Sequence, residues 1–530
     1  MLVKIYAAAV RGIDAQVVTV ETVIGKGLQF VIVGLPDTAV KESHERVRSA
    51  ITQSGYNVGR ISAVINLAPA DIRKEGASYD LPIALALLVG AEVIKAPDIE
   101  KFMIMGELSL DGTVQPVKGV LPMAIEARAK GFKGIIVPAA NATEAAVVNN
   151  LEVYGVSTLQ QAADLVSGLG GVEPTVVDTR AEFARSADVF DYDFNEVKGQ
   201  ENVKRAFEIA CAGGHNILLV GPPGAGTSMM AKRLPSIMPP LSLSEALETT
   251  KIHSVAGELP RGARLMTSRP FRAPHHTVSP VAMTGGGNNP RPGEISLAHN
   301  GILFLDEFPE FPRTVLEVLR QPLEDRHISV SRAKYNVDYP ASFMLVASMN
   351  PCPCGYYTHP TKACTCQPGA IARYFSRISG PLLDRIDIQC EIQPVPFDDI
   401  ASERKGESSA DIRARVMKAR EVQHTRFAAE AGVHCNAQMN SRLMQQYAAL
   451  TPECKAILKR SMEKFDMSAR AYDRILKVAR TIADLDSVAA GLTLEEAAAA
   501  PITPAHISEA VGYRTLDRGT WGTVHTPSPF

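Results

Sequence analysis

The sequence predicts an α/β multidomain chain with an α+β N-terminal part, a core built on a parallel sheet, and a helical C-terminal part. Short β-rich runs alternate with helical patterns over residues 1–170, and three apolar runs over residues 194–395 end in polar residues. Beyond Pro396 helical periodicity dominates. Strands that alternate with helices are typical of parallel sheets. A chain of 530 residues with 46% hydrophobic content is long enough for about two to four domains.

The N-terminal part, residues 1–170, contains six β-rich runs and four helical patterns. The candidate strands are Leu2–Ala8, Gln16–Glu21, Phe30–Val33, Ile61–Leu67, Phe102–Met105 and Gly134–Val137. The helices are predicted to begin near Ala39, Leu81, Gly119 and Thr158. Ser157 and Thr158 are candidate N-caps of the last one. A Gly-rich stretch then opens a predicted interdomain linker over residues 171–193.

The central and C-terminal parts differ in their patterns. In residues 194–395 the apolar strand candidates are Ile217–Gly221, Ile302–Asp306 and Phe343–Ser348. In residues 396–515 helices are predicted over Asp411–Arg426 and Ala469–Leu485. The ending GTWGTVHTPSPF predicts a flexible tail over residues 516–530.

Composition excludes several classes of protein. The 55 basic and 57 acidic residues nearly cancel, so any nucleic-acid binding must depend on local positive charge. The start MLVKIYAAAVRGIDAQ does not resemble a signal peptide, and the longest apolar run, 81–94, is too short to span a bilayer. Eight cysteines in a chain of this length favour a reducing compartment. We therefore expect a cytoplasmic protein without a membrane partner.

The stretch GPPGAGTS follows the apolar run ILLV. It matches the phosphate-binding pattern G-x-x-x-x-G-K-[ST] in every element except the lysine. Such a loop points backbone N–H groups at a phosphate, at the start of a helix. The candidate nucleotide-binding residues are Gly221, Pro222, Pro223, Gly224, Ala225, Gly226, Thr227 and Ser228, with Thr227 in place of the lysine. Taken alone, a chance run of glycines is an equal alternative.

Residues suited to nucleotide hydrolysis follow in order along the chain. GILFLDEF ends in Asp306 and Glu307, whose carboxylates suit magnesium binding and water activation. Asn350 ends the next strand and could orient a water molecule. Arg385 lies on a predicted helix, and Arg470 begins another in the C-terminal part. Each feature has a structural alternative. The phosphate loop, the paired acids, the strand-end Asn and the two arginines in this order nevertheless indicate a nucleotide-hydrolysing site.

Longer stretches resemble the AAA+ ATPases, and specifically the magnesium-chelatase-like ComM/YifB family, over essentially the full length. They are DFNEVKGQENVKRAFEIACAGGHNILLVGPPGAG, RPFRAPHHTVSP, GEISLAHNGILFLDE, SMNPCPCG and RISGPLLDRIDI. The resemblance implies ATP and Mg²⁺ as cofactors, with the loop glycines on the phosphates and with Ser228 and Asp306 on the metal.

The same resemblance implies the roles of the remaining site residues. Glu307 would activate water, Asn350 would be sensor 1 and Arg470 would be sensor 2. Arg385 would be the arginine finger that reaches the nucleotide of a neighbouring subunit. A finger implies a ring, and the rings of this family are hexamers.

Thr227 departs from the family pattern, which has lysine at this position. The lysine ammonium is the point charge on the β- and γ-phosphates, and threonine cannot replace it. Either the chain is a substituted, hydrolysis-impaired form of an active ATPase, or the natural protein is a weak ATPase. We favour the first, because a naturally decayed site tends to lose more than one catalytic residue. Both interpretations predict feeble ATP turnover.

Four cysteines are spaced as C-x-C, nine residues, C-x-C: Cys352, Cys354, Cys364 and Cys366. Four thiolates this close can surround one tetrahedral zinc ion, although C-x-x-C spacing is commoner. His359 is a competing ligand, and four reduced thiols in a surface loop are the alternative. We predict a structural zinc site, since all four metal positions would be filled by protein.

The stretches RKEGASYDL and GELSLDGTVQPVKGVLPMAIEARAKGFKGIIVP resemble the protease domain of Lon. In that family a serine in the first motif pairs with a lysine in the second. Ser78 matches the serine, but the lysine position falls on Leu121, and Lys118 would face elsewhere on a helix. A serine without a base is a poor nucleophile. We therefore predict a non-proteolytic Lon-like domain with a role in ring assembly or DNA contact.

Two segments look like insertions into the ATPase core. One covers residues 250–295 and includes His275 and His276, for which a structural role is favoured over a metal pair. The other, residues 328–337, alternates like a hairpin with Arg332 and Lys334 at its tip. By resemblance to the MCM helicases, such insertions line the pore of a ring and grip DNA phosphates, a salt-sensitive contact. Solvated surface is the alternative for each basic residue.

Together the resemblances imply an ATP-dependent hexameric DNA helicase that promotes branch migration while single strands are integrated during natural transformation and recombination. The implied partners are single-stranded DNA, branched DNA and DNA loaded with recombinase. The alternative is a chelatase-type motor that remodels a protein partner. A proteolytic ring is disfavoured because Leu121 replaces the lysine.

Overall fold

The computed structural model describes residues 1–179, 183, 190–260, 264–287, 290–332, 335–357, 359–367, 369–396, 406–430 and 432–514. Lys334 and the predicted tail, residues 516–530, lie outside these ranges. Within the described part of the chain, no helix combines the length and the apolar character needed to cross a membrane.

The N-terminal part contains a seven-stranded mixed sheet and a two-stranded ribbon. The strands are β1 (Leu2–Arg11), β2 (Asp14–Lys26), β3 (Phe30–Val33), β4 (Ile61–Ala68), β5 (Phe102–Ile104), β6 (Glu107–Leu108), β7 (Val114–Gln115), β8 (Gly134–Pro138) and β9 (Glu152–Val156). The order in the large sheet is β3-β4-β2-β1-β5-β8-β9, and β6 pairs with β7. All six predicted strands are present. The ribbon and β9 escape prediction because they are short and carry polar residues.

The helices of the N-terminal part cover this sheet. They are α1 (Thr38–Lys41), α2 (Ser43–Gln53), α3 (Asp80–Gly90), α4 (Val120–Ala129), α5 (Ala142–Ala145) and α6 (Leu159–Val166). Every residue of α3 is buried, because its run is apolar all round. Thr158 caps α6 as predicted, since its hydroxyl accepts a hydrogen bond from the Gln161 N–H at 3.2 Å.

The central part is built on a five-stranded parallel sheet, as predicted. Its strands are β10 (Ile217–Val220), β11 (Phe271–Arg272), β14 (Ile302–Leu305), β17 (Met344–Met349) and β18 (Ile388–Glu391). The order is β11-β14-β17-β10-β18. Two further ribbons pair β12 (Gly285–Gly286) with β13 (Arg291–Pro292), and β15 (His327–Arg332) with β16 (Tyr335–Pro340). The second of these is the predicted hairpin.

Helices surround the central sheet and form the C-terminal part. In the central part they are α7 (Glu201–Gly213), α8 (Thr227–Ala231), α9 (Leu243–Ala256), α10 (Pro280–Thr284), α11 (Glu294–Leu297), α12 (Arg313–Glu317), α13 (Arg320–Asp325), α14 (Ala370–Phe375) and α15 (Gly380–Leu383). In the C-terminal part they are α16 (Ser409–Arg426), α17 (Ser441–Tyr447), α18 (Pro452–Phe465), α19 (Ala469–Ala489), α20 (Leu494–Ala499) and α21 (Pro504–Gly512). Short 3₁₀ helices occur at Ala77–Tyr79, Ile99–Lys101, Ala139–Asn141, Phe194–Glu196, Leu234–Ser236, Phe308–Glu310 and Asn436–Gln438.

A buried ion pair joins two of the C-terminal helices, α16 and α19. Arg426 of α16 and Asp484 of α19 are 2.5 Å apart, and both side chains are fully buried. Arg480 also pairs with Asp484, at 3.0 Å. Because the charges are paired and hydrogen-bonded, their burial is tolerated, and loss of one partner would be strongly destabilising.

The central part also contributes to the N-terminal core. Leu241, Ala246 and Leu265, all from the segment around α9, are buried in the N-terminal hydrophobic cluster. The described start of the predicted linker packs there too: Val177 is buried, and the Thr179 hydroxyl donates to the Val147 carbonyl at 3.1 Å. The insertion around α9 is therefore fixed against the N-terminal part.

Candidate nucleotide site

The glycine-rich loop connects β10 to α8 at the carboxyl edge of the central sheet. The Gly221 N–H donates to the Met349 carbonyl at the end of β17, at 3.1 Å. Gly224 and Gly226 have φ angles of 83° and 84°, in the region that favours glycine. Thr227 begins α8 and is half-buried. The loop thus has the strand–turn–helix context that a phosphate-binding loop requires.

Two strand ends and the start of α8 bring hydroxyl and carboxylate oxygens together beside the loop. The Ser228 hydroxyl donates to Asp306 Oδ2 at 2.6 Å, and the Ser348 hydroxyl donates to Asp306 Oδ1. Hydroxyl and carboxylate oxygens are the ligands that Mg²⁺ prefers, so Ser228 and Asp306 fit this ion. Ser348 is missing from the predicted site residues, although its position at the end of a strand beside Asn350 was a usable signal.

Glu307 lies next to Asp306 in a strained backbone conformation, with φ 54° and ψ 46°. Its carboxylate is 57% exposed and lies 3.2 Å from His276 Nδ1. The His276 ring stacks against His275, with ring centroids 4.0 Å apart. The insertion over residues 250–295 therefore reaches the carboxylate predicted to activate water. Sequence spacing gave no signal of this contact.

Asn350 directly follows β17 and is half-buried. Because β17 and β10 are parallel neighbours, Asn350 lies at the same edge of the sheet as the glycine-rich loop. The structure therefore brings together Ser228, Asp306, Glu307 and Asn350.

Arg385 lies at the opposite edge of the central sheet from the glycine-rich loop, at the edge where the amino ends of the strands meet. Its carbonyl accepts a hydrogen bond from the Asn216 side chain at 3.1 Å, and Asn216 immediately precedes β10. The four residues of β10 separate that edge from the glycine-rich loop by roughly 13 Å. The Arg385 guanidinium is largely buried and pairs with Glu324 of α13 at 2.5 Å.

Arg470 lies beside Arg385 and not beside the loop. Its Nη1 is 2.9 Å from Asp384 Oδ2, and its side chain is 67% exposed. One turn further along α19, Arg474 pairs with Asp387 at 3.1 Å. The two arginines predicted to act on nucleotide therefore lie together, at the edge of the sheet that faces away from their own loop.

A cleft beside the glycine-rich loop was not predicted from the sequence. It has a volume of about 590 Å³, including space open to solvent, and lies between residues 199–203 and residues 391–396. A smaller cavity of about 200 Å³ adjoins it, shares Glu391 and Gln393 with it, and is bounded by Gly221 and Pro222. This position beside the phosphate loop suits the base and ribose of a nucleotide. The stretch DFNEVKGQEN contributes residues 199–202 to the wall of this cleft, but in the sequence it served only as part of the family resemblance.

The first basic residues after the loop are Lys232 and Arg233, which follow α8. Arg233 follows α8, but its guanidinium pairs with Glu196 and donates to the carbonyls of Asp193 and Met229. Lys232 is exposed. Thr227 leaves the loop with a hydroxyl where the phosphate-binding pattern G-x-x-x-x-G-K-[ST] has an ammonium.

The four predicted zinc ligands converge. All four sulfur atoms lie within 4.8 Å of one another, and Cys352 Sγ is 3.3 Å from Cys354 Sγ. Burial raises the pKa of Cys354, but hydrogen bonds from the backbone N–H groups of Tyr356 and Thr365 and from neighbouring thiols lower it to about 6. Four sulfur donors at this separation fit a tetrahedral zinc ion. His359 instead accepts hydrogen bonds from Thr361 and Lys362 through Nδ1.

The residues matching the Lon motifs do not form a serine–lysine pair. Leu121 is fully buried, and its N–H donates to Glu144 Oε1 at 3.0 Å. Lys118 is exposed and donates to the Ala256 carbonyl at 3.4 Å. Lys74 is buried and donates to the Pro69 carbonyl, and burial lowers its pKa. Ser78 is half-buried.

The predicted hairpin is confirmed, with Arg332 paired opposite Tyr335 as the last described pair of β15 and β16. Arg332 is therefore next to the tip, as predicted. Lys334, the other predicted DNA contact, lies outside the described residues.

Three family models match the chain. Residues 20–141 match Subunit ChlI of Mg-chelatase, residues 193–400 match Magnesium chelatase, subunit ChlI, and residues 406–514 match Magnesium chelatase, subunit ChlI C-terminal. Protein YifB of Salmonella typhimurium is 43% identical over 520 residues, 98% of each chain. Competence protein ComM of Haemophilus influenzae is 41% identical over 524 residues, again 98% of each chain. The chain belongs to the ComM/YifB family.

Within this ComM/YifB protein, the predicted fold class is confirmed: a magnesium-chelatase-like AAA+ core carries a helical C-terminal part and an N-terminal part with weak similarity to Lon. Lon protease 2 of Bacillus subtilis is 30% identical over 127 residues, 23% of this chain and 22% of that one. The overlap is short, so it supports similarity to Lon for part of the chain only.

Proposed function

We propose that this ComM/YifB protein is a cytoplasmic, ATP-dependent ring motor that moves on DNA. It would promote branch migration while single-stranded DNA is integrated in natural transformation and recombination. The observation that carries the proposal is the division of the nucleotide site between the two edges of the central sheet. The loop, Ser228, Asp306, Glu307 and Asn350 lie at one edge, and Arg385 and Arg470 lie at the other.

At the loop edge, the residues suit ATP and Mg²⁺. The glycine backbone would hold the phosphates, and Ser228 and Asp306 would hold the metal, which shields the phosphate charge when bound. Glu307 would accept a proton from the attacking water, and Asn350 would orient that water. Thr227 supplies no charge to the β- and γ-phosphates, so the chain as it stands should bind ATP weakly and turn it over slowly.

At the other edge, Arg385 and Arg470 would complete the site of a neighbouring copy. The length of β10, roughly 13 Å, separates the Arg385 backbone from its own loop, and Arg470 pairs with Asp384 next to it. We therefore propose that neither arginine contacts the nucleotide bound at its own loop. Each is paired with a carboxylate, Glu324 or Asp384, that a γ-phosphate could replace. A site completed by a neighbour closes into a ring when repeated by rotation, and a hexamer is the proposed ring.

DNA as the substrate is supported by the competence relative and by the hairpin β15–β16. That relative is named competence protein ComM, and a role of this chain in competence is part of our proposal. Arg332, and Lys334 as predicted from the sequence, would contact phosphates of single-stranded or branched DNA, including DNA loaded with recombinase. The alternative is a chelatase-type motor that remodels a protein partner, and the observation behind it is that the three family models are named for magnesium chelatase.

Four cysteine sulfurs that converge beside the loop support a structural zinc site in addition to Mg²⁺. The cysteine segment touches the glycine-rich loop. A Cβ built at Gly355 would lie 2.6 Å from Pro223 Cδ, so the two backbones are in close contact. Zinc bound by Cys352, Cys354, Cys364 and Cys366 would stiffen one wall of the nucleotide site.

The experiment that tests the proposed function restores the lysine. Thr227→Lys should raise the rate of ATP hydrolysis about 10- to 100-fold, the gain expected from one charge-assisted hydrogen bond. The restored protein should unwind or migrate a forked duplex and should form rings with ATP. Adding Glu307→Gln to the restored protein is the matched control, and it should remove hydrolysis while leaving ATP binding intact.

Two results would contradict the proposal. One is a restored protein that hydrolyses ATP no faster than the chain with Thr227. The other is a restored protein that hydrolyses ATP but binds neither forked nor single-stranded DNA at moderate salt, which would favour the protein-remodelling alternative. Lys334→Ala separates these cases, since it should weaken DNA binding without changing ATP binding.

A further inference from the structure

The turn between β1 and β2 lies directly against the hairpin β15–β16. Arg11 pairs with Asp14, so the turn consists of Gly12 and Ile13. Gly12 has a φ angle of 65°, and a Cβ built on it would be 2.8 Å from Val337 Cγ1 on β16. A methyl group at this position would therefore push on the hairpin.

The neighbouring residue of the turn strengthens this contact. Ile13 packs against the hydrophobic cluster that contains the inward-facing side chains of the hairpin. Those side chains are Ile328, Val330, Val337 and Tyr339, all buried. A hairpin of two strands is marginally stable alone, so its position depends on what its inner face packs against. On the side of the N-terminal part, that support is the Gly12–Ile13 turn.

The same turn also holds the other insertion. Asp14 Oδ1 is 2.6 Å from Lys251 Nζ on α9. Further along α9, the Ser254 carbonyl accepts from the Gly119 N–H at 3.2 Å, and the Ser254 hydroxyl donates to Glu144 Oε1 at 2.5 Å. Both insertions into the ATPase core are therefore anchored on the N-terminal part.

The anchor for α9 occupies the place where the Lon resemblance would put a catalytic lysine. Glu144 Oε1 accepts from the N–H of Leu121 as well as from the hydroxyl of Ser254. The residues around Leu121 thus serve as an interface with α9 instead of a base for Ser78.

We infer that the Lon-like N-terminal part supports both insertions and fixes their positions. Gly12 is the positioning residue that determines the position of the hairpin. This inference rests on the proposed function, in which the hairpin contacts DNA. Glycine is required at position 12 because only a residue without a side chain lets the turn approach Val337 so closely. The placement of the hairpin tip is thereby fixed by a domain that carries no catalytic residue.

The test compares two glycines with the same backbone conformation. Gly12→Ala and Gly59→Ala both place a methyl group on a residue with φ near 65°, at 65° and 66°. The methyl at position 12 meets Val337, whereas the one at position 59 has no atom within 4 Å. Backbone strain is therefore matched, and only the push on the hairpin differs.

The measurement is the dissociation constant for a fluorescent forked DNA, with the full-length chain at moderate salt. Gly12→Ala should weaken binding roughly tenfold, the order expected when one or two phosphate contacts are lost. Gly59→Ala should leave it unchanged, and binding of a fluorescent ATP analogue should be the same in both. Equal DNA affinities for the two variants would overturn the inference, as would a parallel loss of ATP-analogue binding in Gly12→Ala.

A double variant separates displacement of the hairpin from misfolding. Val337→Ala removes the methyl that the new side chain meets, so Gly12→Ala with Val337→Ala should bind DNA more tightly than Gly12→Ala alone. The absence of this rescue would contradict the inference. Arg332→Ala with Lys334→Ala in the otherwise unchanged chain tests the proposed function itself. If the double variant weakens DNA binding and Gly12→Ala does not, the hairpin contacts DNA but Gly12 does not position it.

Discussion

A single buried carboxylate, that of Asp387, joins the central sheet to the C-terminal helices. Its Oδ1 accepts from Arg474 at 3.1 Å, and its Oδ2 accepts from the Asn216 N–H at 3.1 Å and lies 3.5 Å from His215 Nδ1. Burial raises the pKa of Asp387, but Arg474, His215 and Lys477 outweigh it and hold the pKa below its usual value. The charged form is therefore the one that the fold stabilises.

Asp387→Asn should destabilise the protein at neutral pH. A carboxylate whose pKa is lower in the folded chain contributes stability above its unfolded pKa, near 4, and that contribution is lost as the pH falls through the folded value. We expect a loss of about 3 kcal/mol in the free energy of unfolding at pH 7, because the partners are left buried. The difference between the two proteins should shrink in strong acid. Urea unfolding at several pH values measures this.

The control for that change is Asp384→Asn. Asp384 pairs with Arg470, whose side chain is 67% exposed, so the loss should be only about 0–1 kcal/mol. Similar losses of unfolding free energy for both variants would mean that the ion pair of Asp387 stabilises the fold no more than an exposed ion pair does. This result would contradict the stabilising role of the buried carboxylate.

His276 is the second residue whose importance depends on one contact. Its Nδ1 lies 3.2 Å from Glu307, so it restrains the carboxylate proposed to activate water. In the Thr227→Lys protein, His276→Ala should raise ATP turnover without DNA by about tenfold, the equivalent of one hydrogen bond to a charged group. DNA should then stimulate turnover less. His275→Ala is the matched control, since His275 instead contacts Thr277 at 3.0 Å. A fall in turnover without DNA would mean that His276 assists catalysis instead of restraining it.

Among the elements, the loop that carries Cys352, Cys354, Cys364 and Cys366 is held together by the convergence of these four thiols. If it binds zinc, the purified chain should contain about one zinc ion per molecule, and Cys354→Ser should lose it. Because Gly355 lies against Pro223, loss of zinc should also weaken binding of an ATP analogue several-fold, roughly 1 kcal/mol. Elemental analysis and a fluorescence titration measure the two effects.

Cys390→Ser serves as the control, because Cys390 is buried on β18 outside the cluster. It should keep the zinc. A chain that is purified without chelators and contains no zinc would contradict the metal site. A chain that loses zinc without any change in nucleotide binding would contradict the contact between the two loops.

Elements with long, regular patterns could be predicted from the sequence, and those defined by distant contacts could not. The strand before GPPGAGTS and the strand before Asp306 are continuous apolar runs, so their place in a buried parallel sheet followed from composition. β18 has only four residues, and its last residue is a half-buried glutamate, so it gives a weak signal. The contact of His276 with Glu307 joins residues 31 positions apart and depends on how the insertion folds back.

In the whole molecule, the three parts of the chain have different roles in the proposed function. The net charge is −2, so no general field attracts DNA and binding must depend on placed residues such as those of the hairpin. The N-terminal part contacts both insertions, and the residues of the proposed nucleotide site lie at both ends of the central sheet. The predicted roles of Arg385 and Arg470 followed from resemblance, whereas their shared edge became visible only in the fold.

The division of the nucleotide site leads to a prediction about mixed assemblies. In the Thr227→Lys protein, Arg385→Ala and Glu307→Gln should each abolish ATP hydrolysis when assembled alone. When the two are mixed, some interfaces join an intact loop and Glu307 from one copy to an intact Arg385 from the next. Roughly a quarter of the interfaces in a random ring are of this kind, so partial activity should return.

The mixing experiment discriminates between a site completed by a neighbour and one completed within the chain. Arg385 acting on its own loop would give no activity in any mixture, because every copy would lack one essential residue. Mixing Glu307→Gln with a second protein carrying Asp306→Ala is the control, since both changes lie at the loop edge and no interface is restored. Recovery in the first mixture and none in the second would establish that adjacent copies share each nucleotide. In the single chain Arg385 is held by Glu324 at 2.5 Å, so we expect the phosphates of a neighbour's ATP to draw the guanidinium away from that carboxylate in the ring.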